Sequence, residues 1–176
     1  MSWIIQTERL FLREFVPTDA AFILALINTK GWLEFIGDKQ IHSIEKATEF
    51  IAYLSAPYAS QGFGLWLVAL PNGTPIGMCG LVKRDSLAQA DLGFAFLPDY
   101  EGKGYAQEAA VGTLAYAYNT LQLPEIWAIT LPENQKSIRL LHKLGFVQTD
   151  RIQDRGEELL LLKHQYTIFS SNPYLL

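Results

Sequence analysis

The segment Glu101-Gly-Lys-Gly-Tyr-Ala106 sets two glycines around a lysine, directly ahead of a stretch with helical spacing. Gly102 and Gly104 let a backbone approach a ligand with no Cβ in the way. A helix that begins near Tyr105 leaves its first N–H groups unpaired, with the positive end of its dipole facing out. That arrangement receives a phosphate or a diphosphate, and Lys103 adds a mobile positive charge beside it. Farther on, Asn134 stands at the start of a second helical stretch, where its side chain can cap the helix, with Ser137 on the first turn.

Other phosphate chemistries fit less well. The chain has no G-x-x-x-x-G-K-[ST] loop, and Gln107 stands where a dinucleotide fingerprint needs its third glycine. His42, His142 and His164 are far apart, without metal-ligand spacing, so the expectation is no metal. Cys79 is the only cysteine, which excludes an intrachain disulfide and a thiolate metal cluster. It lies in the apolar run Ile76–Val82 and reads as a buried, inert thiol in a reducing cytoplasm. Hydrophobic residues make up 49% and charged residues 18%, which argues for a packed core and a ligand groove or oligomer, and against disorder. A net charge of −4 points away from nucleic acid and mildly toward a cationic acceptor. No apolar run reaches membrane-spanning length.

These residues need a frame. Glu8 to Phe15 alternates and reads as a first strand, with Leu10 and Leu12 on one face. Pro17-Thr-Asp19 reads as a helix start, with Phe22 and Leu26 on its apolar stripe, and Gly31 and Gly37 break the chain after it. Ser43 caps a second helix to near Ser55. Gly62–Leu70, Ile76–Arg84 and Ala90–Leu97 read as an antiparallel meander, the first pair joined by the turn Pro71-Asn-Gly-Thr-Pro75. The helix after the glycine turn runs to near Leu121 and buries Ala106, Ala110, Leu114, Ala117 and Leu121. Glu125–Leu131 is a strand, and Asn134–Leu144 a helix ended by Gly145. Phe146–Asp154 and Glu157–Ile168 form a hairpin turned near Arg155-Gly156. The fold class is α+β, a single mixed, mostly antiparallel sheet flanked by helices, in one domain over residues 1–176.

Three blocks then carry a resemblance. Thr7-Glu-Arg-Leu-Phe-Leu-Arg13 with Pro17-Thr-Asp19, Gly93 through Ala109, and Asn134-Gln-Lys-Ser137 with Leu141-His-Lys-Leu-Gly-Phe146 lie in the order found in GNAT-fold N-acetyltransferases. They resemble most the branch of the ribosomal-protein alanine acetyltransferases. The resemblance implies acetyl-CoA as donor co-substrate and a primary amine as acceptor, either a small molecule or a protein N-terminus. In that family the strand ahead of the turn splays from its neighbour and its backbone pairs with the pantetheine arm, the stretch that Phe96 and Leu97 occupy here. Glu101, Gly102, Lys103, Gly104, Tyr105 and Ala106 would wrap the diphosphate, and Asn134 would touch the cofactor arm besides capping its helix.

The resemblance also makes Ser137 a general acid for the departing thiolate, against a plain reading as a surface serine. Only a neutral amine attacks a thioester, so a base is needed. Asp91 sits where related enzymes place an acidic residue, against a plain reading as a strand-end aspartate paired with a neighbour. Tyr166 is a second proton-donor candidate, and Glu108 reads as a partner for a basic residue. Many family members carry Gln or Arg in place of Glu101; a carboxylate aimed at the diphosphate would repel it, so Glu101 is expected to point outward. Trp32, Glu34, Phe35 and Asp38 suit an amine with an apolar body, or packing against the sheet. A non-catalytic acyl-CoA-binding or partner-binding module on the same fold is the second reading. The apolar ends Trp3-Ile4-Ile5 and Pro173-Tyr-Leu-Leu176 suit packing on the same chain or on a second copy in a homodimer.

Overall fold

A computed structural model describes residues 2–154 and 156–165. Where alternation predicts one opening strand there are two, β1 (Ile5–Gln6) and β2 (Phe11–Arg13). Thr7 makes the turn: its backbone N–H donates to the Leu10 carbonyl at 2.9 Å and its hydroxyl accepts the Leu10 N–H at 3.1 Å. Leu10 and Leu12 are both buried in one core.

A 3-10 turn at Pro17–Asp19 leads into α1 (Ala20–Ile27). The Asp19 carboxylate fixes that turn, accepting the Val16 N–H at 2.9 Å and both ends of the Arg13 guanidinium at 2.7 and 2.8 Å. Gly31 does not break the chain but lies inside α2 (Lys30–Phe35); the break falls at Gly37, whose φ is 100°. Helix α3 (Ile44–Gln61) starts at the Ser43 cap and runs past Ser55 and through Pro57. A proline there removes one helical hydrogen bond. Tyr58, the next residue, ties this last stretch of α3 to the sheet: its hydroxyl donates to the Leu65 carbonyl and accepts the Phe15 N–H.

The meander follows as β3 (Leu65–Ala69), β4 (Pro75–Val82) and β5 (Asp91–Phe96). Then come α4 (Tyr105–Asn119), β6 (Glu125–Thr130), α5 (Gln135–Lys143), β7 (Val147–Asp154) and β8 (Glu157–Gln165). Among the described residues the strands form one eight-stranded sheet in the order β1-β2-β3-β4-β5-β6-β8-β7. Every neighbouring pair is antiparallel except β5 and β6, which are parallel.

The sheet separates two cores. One gathers α4 and α5 around Trp66, Leu92 and Phe146; the other gathers α1–α3 around Leu67, Ala69 and Met78. The buried stripe of α4 is Ala109, Ala110, Thr113, Leu114 and Ala117. Ala106 and Leu121, expected there, are only half-buried, because Ala106 lies on the first turn and the helix stops at Asn119. A Cβ on Gly112 would meet Thr7 and Ile5 side chains at 2.9 and 3.0 Å, so α4 needs glycine to sit this close to β1. The expected hairpin extension to Ile168, together with Arg155, Tyr166 and Pro173–Leu176, lies outside the described residues. Among the described residues no helix is long and apolar enough to cross a membrane.

Candidate functional site

The parallel pair β5–β6 meets at a single register position, Asp91 opposite Trp127, where the Trp127 N–H donates to the Ala90 carbonyl at 2.9 Å. Beyond it the strands part. On its other edge β5 stays paired with β4 from Asp91 through Phe96, and the Leu97 N–H donates to the Ile76 carbonyl at 2.9 Å. Hydrogen-bonding directions alternate along such a ladder. The N–H and C=O groups of Phe94 and Phe96 therefore face the opening, with no backbone partner among the described residues. An extended ligand with amide groups can pair with that bare edge as an added strand would.

This register refines the sequence reading. Phe96 stands on the opening, with its side chain buried at 8% exposure. Phe94, which the motif did not single out, stands there too. Leu97 has its backbone committed, its N–H to Ile76 and its C=O to the Tyr100 N–H at 2.9 Å. Only its side chain is left for a ligand.

The opening leads to the glycine turn. Gly102 and Gly104 hold φ values of 72° and 83°, a region that costs other L-residues about 1–2 kcal/mol. No backbone N–H from Gly102 to Gln107 makes a short, well-aligned hydrogen bond to another described residue, so the turn and the first turn of α4 present a run of open donors. Gly104 supplies the helix N-cap without a side chain over it. Successive N–H groups of this kind form an anion-binding concavity. The Lys103 ammonium lies 5.5 Å from the Tyr100 ring centroid, at the edge of the turn.

A residue that the sequence reading used only as part of a motif, Arg9, braces this turn from the β1–β2 connection. The Glu108 carboxylate accepts the Thr7 hydroxyl at 2.6 Å, the Arg9 backbone N–H at 2.7 Å and the Arg9 Nε at 2.7 Å. Arg9 Nη1 donates to the Lys103 carbonyl at 3.2 Å, and its guanidinium lies 4.7 Å from the Tyr105 ring centroid. Partial burial raises the Glu108 pKa, but the hydrogen bonds from Thr7 and Arg9 and the charge of Arg9 together hold it below the usual carboxylate range. Glu108 thus has the basic partner expected for it.

On the far side of the opening stands α5. Asn134 caps it, with Oδ1 accepting the Ser137 backbone N–H at 3.1 Å. The Ser137 hydroxyl has no hydrogen-bond partner among the described residues, and both side chains are half-buried. Beside Ser137, Lys136 reaches back to the glycine turn and pairs with Glu101 at 2.9 Å.

Asp91 lies at the closed end of the opening and is 1% exposed. Burial raises its pKa, and the Arg84 guanidinium at 2.9 Å offsets part of that rise. Its pairing with Arg84 is the local role open to a strand-end aspartate; its raised basicity suits a proton acceptor as well. Side chains alternate along β5, so Asp91 shares a face with Ala95 and Leu97, the face covered by α1–α3. Trp32 packs in that same core at 5% exposure, with an indole N–H that is buried and unpaired. Its expected companions disperse: Glu34 is exposed, and Asp38 turns its carboxylate onto Gln40 at 2.6 and 2.7 Å. Tyr166 lies outside the described residues. No group of three or more His, Cys, Asp or Glu among the described residues could hold a metal ion.

The model of the acetyltransferase (GNAT) domain matches residues 9–147. The uncharacterized N-acetyltransferase YoaA of Bacillus subtilis is 29% identical over 147 residues, covering 81% of this chain and 82% of that one. An acetyltransferase from Agrobacterium tumefaciens superposes with a TM-score of 0.80 at 24% identity, covering 94% of this chain and 95% of its own. The ribosomal-protein-S5-alanine acetyltransferase from Vibrio fischeri has the same fold, with a TM-score of 0.71, 18% identity and 94% and 98% coverage.

Proposed function

The chain belongs to the GNAT acetyltransferase family and is an acetyl-CoA-dependent N-acetyltransferase; from that premise we propose that it acetylates a primary amine, on a small molecule or a protein N-terminus, by direct attack in a ternary complex. The carrying observation is the opening between β5 and β6 that ends in a turn of free N–H groups. A bare strand edge suits the amide-bearing pantetheine arm, and the turn suits the diphosphate at the end of that arm.

In this reading Glu101, Gly102, Lys103, Gly104, Tyr105 and Ala106 enclose the diphosphate, the N–H groups from Gly102 onward making the contacts. Phe96 and Leu97 flank the arm and Asn134 reaches it from α5. The neutral amine attacks the thioester carbonyl carbon, and the amine proton passes through water to Asp91. The Phe96 N–H donates to the developing oxyanion. As the C–S bond breaks, the Ser137 hydroxyl passes its proton to the leaving thiolate and regains one from solvent water, while Asp91 returns the amine proton to solvent. Residues 1–176 act as one catalytic domain.

Thermal unfolding with acetyl-CoA, and with ATP and NAD as controls, tests the donor. Ligand at about a hundred times its Kd adds about 2.7 kcal/mol, a rise in Tm of about 5–10 °C for a chain of this length. A rise with ATP or NAD instead would overturn the donor assignment. Acceptor-dependent CoA release, run over polyamines, aminoglycosides and peptides with free N-termini, then tests the acceptor class; binding without release by any of them would favour a binding module.

A further inference from the structure

The Lys103–Gly104 peptide is trans, as every described peptide bond is. Its C=O and N–H point in opposite directions across a rigid plane. Arg9 Nη1 holds the Lys103 carbonyl at 3.2 Å, so the Gly104 N–H of the same peptide is turned away from Arg9. The donor groups of the turn are thereby oriented from behind.

Arg9 is itself held on several sides. Its Nε and its backbone N–H are both bound by Glu108, and its guanidinium lies over the Tyr105 ring. Glu108 and Tyr105 belong to the first turn of α4, the same turn that offers its free N–H groups. The clamp therefore joins both halves of the concavity, loop and helix start, to the β1–β2 connection. A Cβ on Gly104 would lie 3.3 Å from Arg9 Nη2, so the glycine also leaves room for the guanidinium.

We propose that Arg9 is a positioning residue for the diphosphate turn: anchored by Glu108, it fixes the Lys103 carbonyl and thereby aims the Gly104 N–H at the donor's diphosphate. The inference rests on the acetyl-CoA reading above. It assigns specificity for donors that carry a diphosphate to a residue almost a hundred positions away in sequence. Because Glu108 neutralises the guanidinium, the effect is one of geometry more than of net charge.

The test compares acetyl-CoA with S-acetylpantetheine, which ends before the diphosphate, by calorimetry and NMR titration of the wild type, Arg9→Ala, Arg9→Lys and Glu108→Gln. Arg9→Ala is expected to raise the Kd for acetyl-CoA about tenfold, the loss of one charge-assisted contact, and to leave that for S-acetylpantetheine unchanged. Arg9→Lys keeps a charge near Glu108 but lacks the fork that also reaches Lys103, so its acetyl-CoA affinity stays low. Equal weakening of both donors, or of neither, would overturn the proposal. Glu108→Gln keeps the carboxylate's shape and gives the same selective loss, reduced in size, which decides the matter if Arg9→Ala does not fold. A wild type that binds neither donor would instead sink the acetyl-CoA reading itself.

Discussion

Lys136 Nζ stands 2.9 Å from Glu101 Oε2, and that contact ties the glycine turn to the helix that carries Ser137. A carboxylate at the mouth of an anion site is unfavourable by itself. Here it is directed at a cation from α5, so on the proposed reading the turn would meet an incoming diphosphate with the Glu101 charge partly offset. The exposure of the two side chains, 42% for Glu101 and 78% for Lys136, limits the pair's own worth to about 0.2–1 kcal/mol. Its larger effect is on charge near the ligand.

Lys136→Ala is therefore expected to weaken acetyl-CoA binding by about fivefold at low salt, with less loss at high salt, where exposed charges are screened. Glu101→Gln in the same background restores most of that affinity, since it removes the carboxylate left unpaired. A double-mutant cycle on Kd reads the coupling. No restoration by the second substitution would mean that Lys136 acts on the donor without regard to Glu101.

Ser137→Ala separates cap from chemistry. Asn134 Oδ1 binds the Ser137 backbone N–H, not its hydroxyl, so the helix start survives the substitution. Affinity for acetyl-CoA should stay within about twofold, and turnover should fall by about a hundredfold, the low end of general acid contributions. Asn134→Ala instead removes the cap and costs about 1 kcal/mol of stability. Unchanged turnover of Ser137→Ala across the pH range would remove the acid role.

The two turn glycines should answer differently to alanine. At Gly102 a Cβ meets nothing within 4 Å, so the cost is the left-handed φ alone, about 1–2 kcal/mol of stability. At Gly104 the same strain applies and the Cβ also presses on Arg9 Nη2 at 3.3 Å. Both variants should lose similar stability, whereas Gly104→Ala should lose more acetyl-CoA affinity. Urea unfolding and calorimetry on the pair give the comparison; equal affinities would show that the Arg9 contact does not matter to the ligand.

Local turn and cap geometry is legible in the sequence, and the long-range contacts around the glycine turn are not. Gly102, Gly104 and Asn134 were legible because turn and cap chemistry depends on neighbours within a few residues. The meander and the two helices around the turn were legible from periodicity. Arg9 was visible only as a letter in a motif, because its partner Glu108 comes from another element far along the chain. The choice of Phe94 and Phe96 over Leu97 as exposed backbone needed the β4–β5 register, which no local pattern fixes. Trp32, Glu34 and Asp38 looked like a cluster because they are near in sequence, yet the end of α2 sends them to the core, to solvent and to Gln40. Helix α3 outran its expected end because Tyr58 is tied to β3, a tertiary contact that overrides the proline.

His164 on β8 gives the fold a pH dependence of known sign. Its Nδ1 lies 2.7 Å from the Tyr118 hydroxyl, which donates to the His164 carbonyl at 2.8 Å. The hydroxyl and Nδ1 share one hydrogen bond, whose direction follows the tautomer of the imidazole. Burial lowers the pKa of the imidazole, and a contact with the Leu144 backbone opposes that fall in part. The unfolded chain, with a histidine pKa near 6.5, then binds the proton more readily than the folded one. Stability from this group is complete above that value and falls as the pH drops below it, down to the folded pKa. The expected result is a urea midpoint that declines from pH 7.5 to pH 5.5 in the wild type and declines less in His164→Gln. Equal slopes for the two proteins would show that the imidazole is already protonated in the folded state at neutral pH, or that it titrates there as it does when unfolded.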